Sequence, residues 1–218
     1  MEPDLRFLPV SDWTTLVLFG SLVLVVVAKR LYYQRFLNFL ALPLNNKYFS
    51  QFSNKELLSH SFHILVTVFQ IINSGLFLYF TWTIFSENTN RAPQIVPFLG
   101  FVGGLVLFLV AKVMLQLGNG FVFGSFGFFN EVVFKKLSYL NYGGLVLFLA
   151  NVLLNYVLIG SKLVVYVGFF LFLAINLIGW ITVVKNSEKV VLPYLFYFIL
   201  YLCALEIAPL VLLGNFLK

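Results

Sequence analysis

Long stretches without a charged residue dominate the pattern of polar and apolar positions along this chain. Five charge-free runs of 16 to 30 residues each are candidate spans, and so is the run between Lys189 and Lys218, which is interrupted only by Glu206. A membrane-spanning helix needs about 20 apolar residues to cross a hydrocarbon core of about 30 Å. The pattern therefore predicts an all-α integral membrane protein, a single polytopic domain over 1–218. Its six transmembrane helices are expected near residues 13–29, 60–85, 94–115, 140–160, 163–184 and 193–213.

The composition leads to the same class of protein. Of the 218 residues, 61% are hydrophobic and only 10% are charged, whereas soluble domains carry about 25% charged residues. Too little polar surface remains to coat a soluble particle, so a soluble fold is excluded. The single cysteine, Cys203, cannot form an internal disulfide and gives no metal-binding spacing.

The basic residues predict the orientation, because Lys and Arg beside short loops tend to stay in the cytoplasm. Nine of them fall on one predicted side: Lys29, Arg30, Arg35, Lys47, Lys55, Lys135, Lys136, Lys185 and Lys189. Four fall on the other side: Arg6, Arg91, Lys162 and Lys218. Both termini are therefore expected in the periplasm, with the protein in the bacterial inner membrane. The net charge of +6 is interpreted as a topology signal with attraction to anionic lipid, without nucleic-acid binding.

Two further stretches are expected to lie on the membrane without crossing it. After the first span, Tyr32, Tyr33, Phe36, Phe39 and Leu40 form one apolar side of a short interfacial helix, which a proline ends. The stretch 113–130 after the third span contains four glycines among phenylalanines. Each glycine lowers helix propensity by about 1 kcal/mol, so an interfacial or re-entrant segment is favoured over a seventh span. Such a span would also reverse the charge bias downstream.

Glu206 is the clearest intramembrane ionisable residue, and such residues are expensive in the bilayer, at about 2.5–3.5 kcal/mol on insertion scales. Asn73, Asn151 and Asn155 are expected at a similar depth on the predicted second and fourth helices. Together the four residues define a candidate intramembrane polar site. A hydrogen-bonding role that ties helices together is favoured over proton or cation transport.

A second candidate polar site lies at the predicted cytoplasmic end of the bundle and contains Lys112, Glu131, His60, His63 and Arg35. Lys112 is expected to reach the lipid headgroups, with an ion pair to Glu131 or Glu56 as the alternative. Two histidines alone do not make a metal site, so no metal or other cofactor is expected.

Motifs with a known mechanism are scarce. Gly100 and Gly104 have the G-x-x-x-G spacing that permits close helix approach, although this spacing is frequent by chance in glycine-rich spans. No P-loop, nucleophile elbow, zincin motif or paired carboxylate occurs, so no catalytic residue and no enzymatic activity are expected.

Several short motifs resemble an uncharacterised polytopic inner-membrane family of Bacteroidetes that carries only a domain-of-unknown-function label. They are the run Tyr33-Gln34-Arg35-Phe36, the run Asn45-Asn46-Lys47-Tyr48, Lys112 at the end of a span, and the run from Leu202 to Pro209 that contains Glu206. The resemblance covers nearly the whole chain. It implies an envelope location in a Gram-negative cell and supplies no activity.

The sequence thus leads to two main functional hypotheses. The first is a non-enzymatic membrane subunit or scaffold in envelope biogenesis, with membrane lipid and a membrane-protein partner or a second copy as its partners. The second is a small proton-coupled transporter, or a transporter of a lipid-like substrate, that uses Glu206. A lipid-modifying enzyme is disfavoured because Glu206 is expected too deep in the bilayer.

Overall fold

A computed structural model describes residues 12–42, 61–86, 95–122 and 126–186. These residues form no strand and six α-helices, which are α1 (Asp12–Leu31), α2 (Tyr33–Leu40), α3 (Ser61–Phe85), α4 (Ile95–Val122), α5 (Phe126–Val152) and α6 (Lys162–Asn186). A π-helical turn, Leu153–Val157, extends α5. All except α2 are long and apolar enough to cross a membrane. The prediction of an all-helical, multi-pass membrane protein is therefore confirmed, and its sixth span, 193–213, lies outside the described residues.

Charge-free runs locate the helices well where a charged residue lies near each end. The predicted spans 13–29, 60–85 and 163–184 differ from α1, α3 and α6 by at most two residues at either end. The fourth span differs more, because α5 begins at Phe126 rather than near residue 140. Its first turns carry Glu131, Lys135 and Lys136, whose charges obscured the helix in the sequence.

The stretch 113–130 does not form a separate segment. The helix α4 continues to Val122, through Gly118 and Gly120, and α5 begins four residues later. The helix of the third span is therefore longer than the predicted span 94–115, and an interfacial or re-entrant placement of the stretch is not confirmed. Glycine disfavours a helix in water, but apolar surroundings offer backbone groups no alternative partner, which keeps the chain helical.

The short helix α2 ends before Pro43, as the sequence predicts. Its Phe36 and Phe39 are buried in a cluster with Phe62 of α3, while Tyr33 and Leu40 are exposed. The aromatic side of α2 is therefore divided between the protein and the surroundings, and a position of this helix at the membrane surface stays a prediction.

The helices α3 and α5 form the centre of the bundle. The helix α3 packs against α1, α4 and α5, and α5 also packs against α6. Half of the most apolar window of each central helix is buried, compared with 6% in α4. One end of the bundle contains the beginnings of α3 and α5 and the ends of α1, α4 and α6, and the charge distribution predicts this end to be cytoplasmic.

Glycines allow the central helices to approach closely. A β-carbon built at Gly144 of α5 would lie 2.9 Å from the Cα atom of Gln70 in α3. One built at Gly179 of α6 would lie 2.6 Å from the ring of Tyr139 in α5. Any larger side chain at these positions would push the helices apart, so small residues set the spacing of the bundle.

Candidate functional site

Polar side chains join the two central helices through an interface that consists of Thr67 and Asn73 on α3 and Asn141 and Asn151 on α5. We call it the α3–α5 polar interface. The Nδ2 atom of Asn141 donates to Oγ1 of Thr67 at 2.9 Å, and Nδ2 of Asn151 donates to the backbone oxygen of Asn73 at 2.9 Å. Asn73, Asn141 and Asn151 are all fully buried. Residue numbers increase from the first hydrogen bond to the second on both helices, so the helices run parallel. The two bonds together fix the register of α3 relative to α5.

The predicted intramembrane polar site is brought together only in part. Asn73 and Asn151 are in contact, but Asn155 accepts a hydrogen bond at 3.0 Å from Oγ1 of Thr14, at the start of α1. Asn155 lies in the π-helical turn, where the wider winding changes the direction of each side chain. The fourth predicted member, Glu206, lies outside the described residues.

Several buried amide atoms have no hydrogen-bond partner among the described residues. They include Oδ1 of Asn151, Nδ2 of Asn155, Oε1 of Gln70 and Oδ1 of Asn141. A buried polar atom without a partner costs about 1–3 kcal/mol. The layer around Asn151 and Asn155 therefore has hydrogen-bonding capacity that the described residues do not use.

The described residues of the second predicted polar site have different neighbours. His63 is buried with its ring centroid 5.1 Å from that of Phe134, while Glu131 makes an ion pair with Lys135 at 2.6 Å. Arg35 is half-buried on α2, and His60 lies outside the described residues. Within the described ranges, no three His, Cys, Asp or Glu residues are grouped to hold a metal ion.

Lys112 instead lines a partly open cavity of about 60 Å³ between α4, α5 and α6. The cavity also contains Gln116 of α4, Lys136 of α5, and Asn176 and Trp180 of α6. The Nζ atom of Lys136 lies 3.8 Å from the ring centroid of Trp180, within the range of a cation–π interaction. Two cationic side chains from different helices therefore face one cavity.

Sequence reasoning missed the residues that complete both sites. Thr14 and Thr67 carry no sequence signal that separates them from other threonines in apolar helices. Gln116 carries one, because it follows Lys112 by four residues and shares its helical face. The predicted span 94–115 excludes Gln116, which lies within α4.

One comparison with known protein families gives a match over nearly the whole chain. A family model described as "Domain of unknown function (DUF4271)" matches residues 14–217. No curated protein and no solved structure matches. The resemblance to a family of unknown function is therefore confirmed, while a Bacteroidetes origin stays a prediction.

Proposed function

This chain belongs to the DUF4271 family, and we propose that it is a non-enzymatic membrane subunit or scaffold in envelope biogenesis. The observation that carries the proposal is that buried asparagine side chains form hydrogen bonds between helices. Asn141, Asn151 and Asn155 each bond a neighbouring helix. Hydrogen bonds of this kind hold membrane helices together, so these amides support a fixed bundle.

A fixed bundle serves as a scaffold when it presents a surface to a partner, and α4 presents such a surface. Gly100, Gly103 and Gly104 are exposed, and β-carbons built on them would meet no atom within 4 Å. Small residues allow close backbone approach in membranes, where packing replaces the hydrophobic effect as the driving force. We call these three residues the α4 glycine face, and its proposed occupant is a helix of another membrane protein.

The proposed location is the bacterial inner membrane, with both termini in the periplasm. The lopsided distribution of Lys and Arg supports this orientation. Membrane lipid surrounds the remaining apolar surface, including most of α4 and α6.

A leucine on the α4 glycine face is expected to remove the partner. Gly104→Leu places four carbons where a partner backbone would approach, whereas Gly20→Leu makes the same change at an exposed glycine of α1 that also meets no atom within 4 Å. After cross-linking in membranes and purification in mild detergent, we expect Gly104→Leu to lower recovery of the cross-linked partner about tenfold, equivalent to about 1.4 kcal/mol. Gly20→Leu should leave recovery unchanged.

Equal recovery with both variants would contradict the scaffold proposal. So would a lowered unfolding midpoint of purified Gly104→Leu alone, because the glycine face would then be covered by this chain's own residues. Loss of a cross-linked second copy would identify a homo-oligomer as the assembly.

The transporter hypothesis is retained because of the amide atoms in the layer around Asn151 and Asn155. Oδ1 of Asn151 and Nδ2 of Asn155 are buried and have no hydrogen-bond partner in the part of the chain that the structure describes. The sequence places Glu206 near the same depth. A carboxyl group there could bind these amides and carry a proton.

Glu206→Gln separates the two functions, since it keeps size and hydrogen bonding but removes ionisation. For a scaffold, Glu206→Gln should insert, stay stable and complement growth of a deletion strain. Glu206→Leu should lose about 1–2 kcal/mol of helix packing, the scale of intramembrane hydrogen bonds. For a proton carrier, both variants should be stable and inactive. A well-expressed Glu206→Gln protein without activity would therefore overturn the scaffold in favour of the transporter.

A further inference from the structure

The exposed side of α1 combines an apolar row with two basic residues at its end. Phe19, Leu22 and Val26 follow one another at spacings of three and four residues, so they lie on one side of the helix. They are 64%, 44% and 54% exposed. Lys29 and Arg30 continue this side three and four residues after Val26, and both are exposed. We call these five residues the α1 outer face.

The length of this face matches one leaflet of a bilayer. Phe19 and Lys29 are ten residues apart, which corresponds to about 15 Å along an α-helix. Half of a hydrocarbon core of about 30 Å has the same length. When Lys29 and Arg30 lie at the level of the lipid headgroups, the apolar row therefore reaches the middle of the membrane, as the acyl chains of one lipid do.

Neither of the two basic side chains makes an ion pair with a residue that the structure describes. The described ranges contain only two acidic residues. Asp12 begins α1, at the other end of the helix, and Glu131 pairs with Lys135. Lys29 and Arg30 thus place two adjacent positive charges beside an apolar row, an arrangement that is complementary to a lipid with a negatively charged headgroup.

The short helix α2, which begins at Tyr33, provides a second observation on the level of the membrane. Tyr33, Leu37 and Leu40 are four and three residues apart and form an exposed apolar row on this helix. An exposed apolar row on a short helix with a polar side is typical of the boundary between headgroups and acyl chains. With α2 at this boundary, Lys29 and Arg30 directly before it lie among the headgroups.

We propose that the α1 outer face binds an anionic phospholipid, with Lys29 and Arg30 on its phosphate and the apolar row along an acyl chain. Ammonium and guanidinium groups make charge-assisted hydrogen bonds to phosphate oxygens. The apolar row contains no small residue, so it does not offer the close backbone approach that favours a partner helix on the α4 glycine face. The lipid site lies on another helix than that face, and the proposal therefore goes beyond the scaffold function.

Native mass spectrometry of the purified full chain, in an uncharged detergent, counts the lipids bound at each lipid concentration. The probes are dioleoyl phosphatidylglycerol, dioleoyl phosphatidylcholine, which has the same chains and no net charge, and glycerol 3-phosphate, which has no chains. We expect the first phosphatidylglycerol to bind at least about tenfold more tightly than the first phosphatidylcholine. Lys29→Gln and Arg30→Gln should each weaken phosphatidylglycerol binding about fivefold, which corresponds to about 1 kcal/mol.

Two control variants separate this site from a general effect of charge. Lys162→Gln removes one charge from an exposed position at the opposite end of the bundle and should leave phosphatidylglycerol binding unchanged. A variant with both Lys29→Arg and Arg30→Lys keeps both charges and should retain binding. A topology signal acts during insertion into the membrane, so by itself it produces no difference among folded proteins in detergent.

Equal binding of the two phospholipids would overturn the proposal, because the charge of the headgroup would then have no effect. Binding of glycerol 3-phosphate as tightly as phosphatidylglycerol would also overturn it, in favour of a site for free phosphate. Unchanged phosphatidylglycerol binding by folded Lys29→Gln and Arg30→Gln would show that these residues act in topology alone. An equal loss with Lys162→Gln would show that the lipid responds only to net charge.

Discussion

Replacing Gly144 with leucine is expected to remove about 3 kcal/mol or more from the free energy of unfolding. The β-carbon alone would lie 2.9 Å from both Cα and Cβ of Gln70, and overpacking of this kind costs about 1–3 kcal/mol. Separating α3 from α5 would also break the hydrogen bonds of Asn141 and Asn151, at about 0.6–2 kcal/mol each. Denaturation of the purified protein in mild detergent, followed by circular dichroism, measures the change.

Two matched variants show whether this loss comes from close helix packing. Gly144→Ala adds only the β-carbon and should have a smaller effect than leucine. Gly100→Leu adds the same side chain where no atom lies within 4 Å, and its unfolding midpoint should stay within error of the parent. If Gly144→Leu and Gly100→Leu were equally stable, the close approach of α3 and α5 would be incorrect.

Cysteine labelling is expected to give an all-or-none pattern in intact cells. In a Cys203-free variant, single cysteines at Asn88 and Ser161 should react with an impermeant thiol reagent, and those at Asn46 and Asn186 should not. Ser161 directly precedes α6 and Asn186 ends it, so this pair tests whether one described helix crosses the membrane. The expected direction follows from the excess of Lys and Arg on the side of Asn46 and Asn186.

Permeabilised cells provide the control, since all four cysteines should then react. Labelling at Asn46 in intact cells would contradict the orientation with periplasmic termini. Protection of Ser161 together with reaction at Asn88 would show that the chain between them crosses the membrane an odd number of times, as a seventh span within 113–130 would require, and not twice through α4 and α5.

The sequence predicts the spans because charges are excluded from the hydrocarbon core, and it is less informative where charges lie inside a helix. The helices α1, α3 and α6 were located within two residues. The helix α5 begins well before the predicted span 140–160, because Glu131 and Lys135 form an ion pair one helical turn apart and so remain within the helix. A count of individual charges cannot recognise such a pair.

The candidate sites show a similar limit. The depth of a residue in the membrane follows from counting residues along its helix. This count was enough to pair Asn73 with Asn151. The pairing of Asn155 with Thr14 depends on a π-helical turn and on which helix lies beside it. The cavity around Gln116 depends on three helices at once, and no single helical pattern contains that information.

The way α3 satisfies its own polar groups has a consequence for biosynthesis. Within this helix, Nε2 of Gln70 donates to Ser74, Nδ2 of Asn73 donates to the carbonyl of Phe69, and Thr67 donates to that of His63. The helix emerges from the ribosome before α5 and must enter the membrane without its later partner. Because each of these side chains already makes one hydrogen bond within the helix, the cost of inserting α3 alone is lowered. The asparagines of α5 then donate to oxygen atoms of α3, so the order of synthesis matches the order in which the hydrogen bonds become possible.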